Sequence, residues 1–212
     1  INSINFCLEK AKIDETKINK IIFYENPDLK FERIVQSLSN YKTFNFFDNL
    51  RIIKDWFDNK YHIDKYVNKY LPNYKGEILF SEHHISHAAS AYYPSPFDDS
   101  SIVVLDGVGE WASSSILRGD KNNIEILKQQ NFPNSLGILY SAFTSYLGFK
   151  VLSGEYKLMG LAPYGEPKYY SKIRDEILEI NTDGAIEINE KYFNFLDEKK
   201  IYNNKFNSLF DN

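Results

Sequence analysis

The chain has 212 residues, 43% of them hydrophobic and 16% aromatic against 25% charged, enough apolar matter to fill one large domain. That balance is the reverse of a disordered composition, and no apolar run reaches the roughly 20 residues that span a bilayer, so no membrane partner is expected. A net charge of −4 offers no basic footprint for a nucleic acid, and the single Cys7 excludes an internal disulfide. With no signal peptide, the expected compartment is the reducing cytoplasm.

Residues 1–75 read as a mainly helical part around one strand. The strand is 20–24 (KIIFY), while 29–41 and 46–71 carry helical spacing, clearest at Ile63, Tyr66, Val67 and Tyr70. Pro72, Asn73 and Gly76 then punctuate the chain. Residues 76–180 follow as a core of different character. Strand 77–80 leads through Ser81, the expected N-cap, into helix 83–93, which Pro94 stops. After a loop over 94–100, strand 101–106 (SIVVLD) runs into the turn Asp106-Gly107-Val108-Gly109. Strands 111–117 and 124–128, separated by the turn-rich 119–123, predict an antiparallel three-strand meander. A helix over 135–147, an irregular glycine-rich stretch over 148–165 and a second helix over 166–180 with Pro167 in its first turn come next. Residues 181–212 read as a peripheral segment with a strand at 185–188. The fold class is therefore α/β, with flanking helices around a meander.

Three of the four histidines fall in one short string, Glu82-His83-His84-Ile85-Ser86-His87. On a helix His83 and His87 share a face at i, i+4, so both imidazoles can converge on one ion while His84 points elsewhere. Asp106 ends a hydrophobic strand and is placed to add a carboxylate, with Gly107 and Gly109 beside it allowing close approach to the backbone. Two neutral imidazoles and a carboxylate suit iron(II), manganese or zinc better than calcium or magnesium. The plainer readings are helix-surface histidines and a turn aspartate. The glycine-punctuated strings SGEYK (153–157) and GLAPYG (160–165) can offer amides to phosphate, with Lys157 as a point charge. Generic loop chemistry and a surface pair of Glu155 with Lys157 account for them equally well. At 132–137 (FPNSLG) a helix begins at Ser135, where capping is favoured over an anion site.

The strings EHHISHAASAYYPSPF (82–97), LDGVGEWASSS (105–115), FPNSLGILYSAFTSYLGFKV (132–151) and SGEYKLMGLAPYGEPKY (153–169) resemble the O-carbamoyltransferase family of the nodulation and antibiotic-biosynthesis type. They run in family order across 81–169, and ENPDLKFER (25–33) fits more loosely. The resemblance implies part of an actin, hexokinase and Hsp70-like (ribonuclease H-like) domain with a mixed sheet, followed by a smaller carbamoyl-adenylate-forming domain. It implies a reaction in which ATP and carbamoyl phosphate give carbamoyl adenylate, whose carbamoyl group passes to a hydroxyl of a small-molecule or sugar acceptor. It also implies a divalent metal, iron(II) foremost with manganese or zinc as alternatives, on His83, His87 and Asp106. Nucleotide phosphate is then expected over Gly107, Val108 and Gly109, with Glu155, Lys157, Gly160 and Tyr164 as a further wall of the site.

Family chains carry a glycine-containing phosphate loop upstream, and a further metal-binding aspartate and the adenylate-forming domain downstream. The chain thus reads as an internal fragment, inactive alone, whose partners are the missing parts of the same protein; a homo-oligomer is compatible. Two other classes share features of the sequence. Two histidines and a carboxylate also make the facial triad of non-haem iron(II) oxygenases, although such triads usually sit on a β-barrel. A domain that binds nucleotide or a partner without catalysis is the non-enzyme alternative. No residue identifies the acceptor.

Overall fold

The computed structural model describes residues 2–41, 46–197 and 200–210. Helix α1 (Asn2–Ala11) and a 3-10 turn (Glu15–Lys17) lead into β1 (Lys20–Phe23). The Asn26 side chain accepts the N–H groups of Asp28 and Leu29, and Pro27 occupies the first turn, where a missing N–H costs nothing. Helix α2 (Pro27–Asn40) therefore starts ahead of the apolar spacing that marks it in the sequence. The helical stretch expected over 46–71 divides into α3 (Phe46–Trp56), a π-helical turn (Phe57–Tyr61) and α4 (Ile63–Tyr70). The wider turn gathers rings on Phe31 of α2: Trp56 stacks on it at 5.2 Å, and Phe57 and Tyr61 lie 6.1 and 5.8 Å away.

Strand β2 (Glu77–Phe80) pairs in parallel with β1, Lys20 opposite Glu77 and Phe23 opposite Phe80. Helix α5 (His83–Tyr92) follows at once, but Ser81 does not cap it. That role falls to Glu110, only 4% exposed, whose two carboxylate oxygens both accept the His83 N–H at 3.0 Å. One of the same oxygens accepts the Asn26 N–H at 2.6 Å. A single buried carboxylate thus joins the turn after β1, the start of α5 and the turn after the next strand.

Strands β3 (Asp99–Leu105), β4 (Ala112–Asp120) and β5 (Asn123–Asn131) form the expected meander, β4 pairing antiparallel with both neighbours. Its ladder is separate from the parallel β1–β2 pair, so one continuous mixed sheet is not formed among the described residues. Alternation turns Ile102, Val104 and Leu117 toward α5, where they pack with Ala88 and Tyr92 in one core. His84, Ala88 and Tyr92, four residues apart, are the buried line of α5. His83 and His87 lie one position away, on the flank toward the end of β3.

The rest of the chain departs further from the spacing pattern. Helix α6 (Leu136–Tyr146) is capped by Ser135, whose hydroxyl oxygen accepts the Ile138 N–H at 3.1 Å. The stretch 148–165, expected to be irregular, contains α7 (Glu155–Leu161), and Gly160 lies inside it. The helix expected over 166–180 shortens at both ends to α8 (Tyr170–Glu176): it starts only after Tyr169, leaving Pro167 outside its first turn, and β6 (Leu178–Ile180) takes its last residues to pair with β7 (Ile186–Ile188). Gly184, at φ +87°, turns that hairpin. A second core forms where Leu139 and Ala142 of α6 meet Ile177, Ile188, Phe206 and Phe210, the last two from α9 (Asn204–Phe210). Residues read from the sequence as peripheral therefore supply much of this core.

Replacing Glu110 by Ala strands two backbone donors, and we expect a loss of about 2–4 kcal/mol of unfolding free energy in urea titrations. Glu110→Gln, which keeps one acceptor oxygen, should lose less. Equal midpoints for wild type and Glu110→Ala would show that the carboxylate does not hold these segments together.

Candidate metal centre

The flank of α5 and the end of β3 bring His83, His87 and Asp106 together, with one ligand atom from each inside a mutual spread of 4.8 Å. The Nε2 atoms of His83 and His87 are 3.0 Å apart. Oδ2 of Asp106 lies 2.9 Å from the first and 3.8 Å from the second. Oδ1 of Asp106 is already engaged, accepting the Gly107 N–H at 2.6 Å, so the carboxylate offers one oxygen to the cluster. Borderline nitrogen donors and one hard oxygen at this separation fit a divalent transition ion. The three side chains could hold such an ion with other coordination positions left for a substrate or further ligands.

The two histidines are held unequally. The His87 side chain is 52% exposed and the His83 side chain 17%. Tyr24 meets the His83 ring edge-on at 5.7 Å, and a Cβ on Gly109 would lie 2.9 Å from the His83 Cβ. The hydrogen bond with Asp106, then the proximity of Glu25, hold the His83 imidazole up at about 9 against burial. Binding a cation therefore requires Nε2 of His83 to give up its proton. The same hydrogen bond keeps Asp106 below the usual carboxylate range. His84 points away into the meander, its Nδ1 2.7 Å from the Ser115 hydroxyl, and burial pushes it down toward the neutral form.

The turn over Asp106 to Gly109 is pinned from below. The Ser135 hydroxyl lies 3.0 Å from the Asp106 carbonyl oxygen and 2.7 Å from that of Gly107, and a Cβ on Gly137 would sit 2.5 Å from the former. Capping, not an open anion site, is thus what the start of α6 does. Gly107 and Gly109 play different parts. A Cβ on Gly107 would meet nothing within 4 Å, whereas Gly109 is bare because the His83 ring presses on it. The amides of Gly107 and Gly109 are used internally, by Asp106 Oδ1 and the Ala112 carbonyl. Val108 N–H has no such partner among the described residues.

The other expected wall residues are not joined to this cluster. Glu155, the first residue of α7, is spent on the chain just ahead of its helix and on α6: its carboxylate accepts the N–H groups of Leu152 at 2.9 Å and Gly154 at 3.1 Å and the Ser141 hydroxyl at 3.0 Å. Burial pushes that carboxyl up, but these donors outweigh it and hold it below its ordinary value. Lys157, Gly160 and Tyr164 are exposed, and no hydrogen bond or ion pair among the described residues links them to the histidines. Two residues that spacing did not single out stand beside this cluster instead. Glu25, whose Oε2 is 3.7 Å from His83 Nδ1, is itself bound by Lys30 Nζ at 2.6 Å, and Glu110 holds the His83 backbone. The string ENPDLKFER carried Glu25 and Lys30, yet nothing local to it points at a histidine 58 positions on.

These features define an α/β protein in which two histidines of one helix and a strand-end aspartate converge in a cluster able to hold a metal ion. The family model for the carbamoyltransferase N-terminus matches residues 1–212, and the chain belongs to that family. It is 42% identical to an uncharacterized protein of Synechocystis over 98% of this chain and 35% of that protein. A nodulation protein, NolNO, of Sinorhizobium fredii is 30% identical over 88% of this chain and 26% of its own length. NolO of Bradyrhizobium diazoefficiens is 36% identical over 50% of this chain and 19% of its own. The chain thus spans about a third or less of these relatives. No helix among the described residues is long and apolar enough to cross a membrane.

Two predictions follow from this geometry. Gly109→Ala should displace His83 and lower bound iron, manganese or zinc as His87→Ala and Asp106→Ala do, while Gly107→Ala retains wild-type content by elemental analysis. Wild-type metal content in folded Gly109→Ala, His87→Ala and Asp106→Ala proteins would remove the ion from this cluster. Glu155→Gln should lose about 1–2 kcal/mol at neutral pH. Because the folded carboxyl titrates below its unfolded value of about 4.3, that contribution is present above this value and fades as pH falls through the lower folded one. A gap between wild type and variant that stays constant from neutral pH to strong acid would contradict the assignment.

Proposed function

We propose that this chain is part of an ATP-dependent O-carbamoyltransferase, supplying the metal-binding and phosphate-holding face of the site. What carries the reading is the convergence of His83, His87 and Asp106 in a chain matched along its length by the carbamoyltransferase N-terminus. In this reading the meander and α6 belong to an actin, hexokinase and Hsp70-like, ribonuclease H-like domain. ATP and carbamoyl phosphate are the substrates, carbamoyl adenylate is the intermediate, and a hydroxyl of a small molecule or sugar is the acceptor. Iron(II) is the first choice of ion, with manganese or zinc as alternatives.

A bound divalent ion would supply positive charge against phosphate oxygens. The chain's own residues do the rest of what this face requires. His83 and Asp106 fix two ligand directions, and the more exposed His87 closes the third. The bare face of Gly107 lets a phosphate come close, and Val108 N–H is the amide of the turn free to meet it. Holding the ligands in place before substrate arrives removes reorganisation from the reaction, which is where positioning gains its rate.

The test is to incubate the full-length protein with ATP, carbamoyl phosphate and a panel of hydroxylated acceptors, reading pyrophosphate release and carbamoylated product by mass spectrometry. Metal-dependent turnover should fall by about a hundredfold or more in Asp106→Ala, and the 212-residue chain alone should give none. Undiminished turnover in a folded Asp106→Ala protein would overturn the assignment.

A further inference from the structure

The environment of His83 has a feature that metal binding by Nε2 does not by itself explain. Its other ring nitrogen, Nδ1, is buried and has no hydrogen-bond partner. The group that faces it is the carboxylate of Glu25, with Oε2 at 3.7 Å, and both side chains are largely covered, at 17% and 12% exposure. Glu25 is not a loose surface acid. Lys30 Nζ binds the same oxygen at 2.6 Å, and the next residue, Asn26, is tied through its N–H to Glu110. Glu110 in turn holds the His83 N–H, so the acid and the imidazole are mounted on one buried support. His87 has no comparable acid behind it among the ion pairs of the described residues.

We propose that Glu25 is the outer carboxylate of the metal centre. It is a positioning residue that accepts the Nδ1 proton of His83, fixes the tautomer with the lone pair on Nε2, and aims that lone pair at the ion beside Asp106. The inference rests on the reading of His83, His87 and Asp106 as metal ligands. A histidine donating its second ring N–H to a carboxylate is oriented and made a better donor, and removing such a partner typically costs 10–100-fold in metal affinity. The separation of 3.7 Å closes to a hydrogen bond with a shift of less than about 1 Å, within reach of a small ring rotation. Lys30 adds a second effect: by binding the same Oε2 it restrains Glu25 from swinging in as a ligand itself. The asymmetry of the site then has a use, with His83 as the fixed ligand and His87 as the adjustable one.

The test measures zinc affinity of the wild-type protein, Glu25→Gln and Glu25→Ala by calorimetric titration, with thermal melts of each. Selective nitrogen-15 labelling of histidine reports the His83 tautomer of the zinc-loaded wild type by NMR. We expect Glu25→Ala to bind zinc 10–100-fold more weakly with little change in melting temperature, Glu25→Gln to fall between, and His83 to be metallated at Nε2 with its proton on Nδ1. Affinity within twofold of wild type in a folded Glu25→Ala protein, or metallation of His83 at Nδ1, would overturn the proposal. If Glu25→Ala does not fold, the tautomer in the wild type decides. Absence of zinc, iron or manganese binding by the wild type would instead overturn the metal centre itself, so the two failures are distinct.

Discussion

The Glu110 carboxylate is the constraint on which the arrangement of the site depends. Its residue sits in the turn that follows β3, its oxygens accept backbone N–H groups from Asn26 and His83, and those partners are 84 and 27 positions away. Neither donor belongs to a side chain, so the contact fixes the course of the chain and not merely a rotamer. It sets the start of α5 relative to the end of β3, which is what brings two imidazoles and Asp106 within coordination range. A buried carboxylate is stable in such a place only because it is multiply hydrogen-bonded, and Arg33, beside Phe132, stands near enough to add favourable charge.

Around this clamp the charges alternate instead of accumulating. Asp106 and Glu25 flank the His83 ring on its two nitrogens, and Lys30 backs Glu25. Burial pushes the Glu25 carboxyl up, but His83 and Lys30 outweigh it and keep the group ionised. The carboxylates and the ammonium of the cluster can therefore stay charged under cover, each facing a group of opposite sign. Packing does the complementary work: Ala88 and Tyr92 of α5 seal the sheet face, so the helix cannot roll without exposing apolar surface.

The parts of this organisation that were legible in the sequence are those set by local periodicity. The apolar run 101–106 and the turn-rich 119–123 between two further strands marked the meander, and the i, i+4 spacing of His83 and His87 with a carboxylate closing a strand marked the cluster. Resemblance to known carbamoyltransferases added the family. What stayed hidden was of two kinds. Glu25 and Glu110 act across long sequence separations, for which spacing carries no signal. After residue 147 the local meaning of the residues is ambiguous: Gly154 and Gly160 read as loop, yet Gly160 lies within α7, and Glu155 at its first position holds the backbone N–H groups of Leu152 and Gly154 just ahead of it. Apolar residues at Ile173, Ile177, Leu178 and Ile180 satisfy a helical count, but Gly184 allows the last of them to fold back as a hairpin.

The capping of α6 by Ser135 has a mechanical side. The same hydroxyl that starts the helix lies against the carbonyls of Asp106 and Gly107, and Ser141, less than two turns on, donates to Glu155. Over that interval an α-helix rises only about 9 Å and resists compression along its axis. The helix is in effect a strut with one foot on the Asp106 turn and the other on the base of α7. Any displacement of that turn must either break the Ser135 contacts or push the strut, and a pushed strut loads the three hydrogen bonds that Glu155 makes. The exposed face of α7, which carries Tyr156 and Met159, is thereby geared to the position of Asp106.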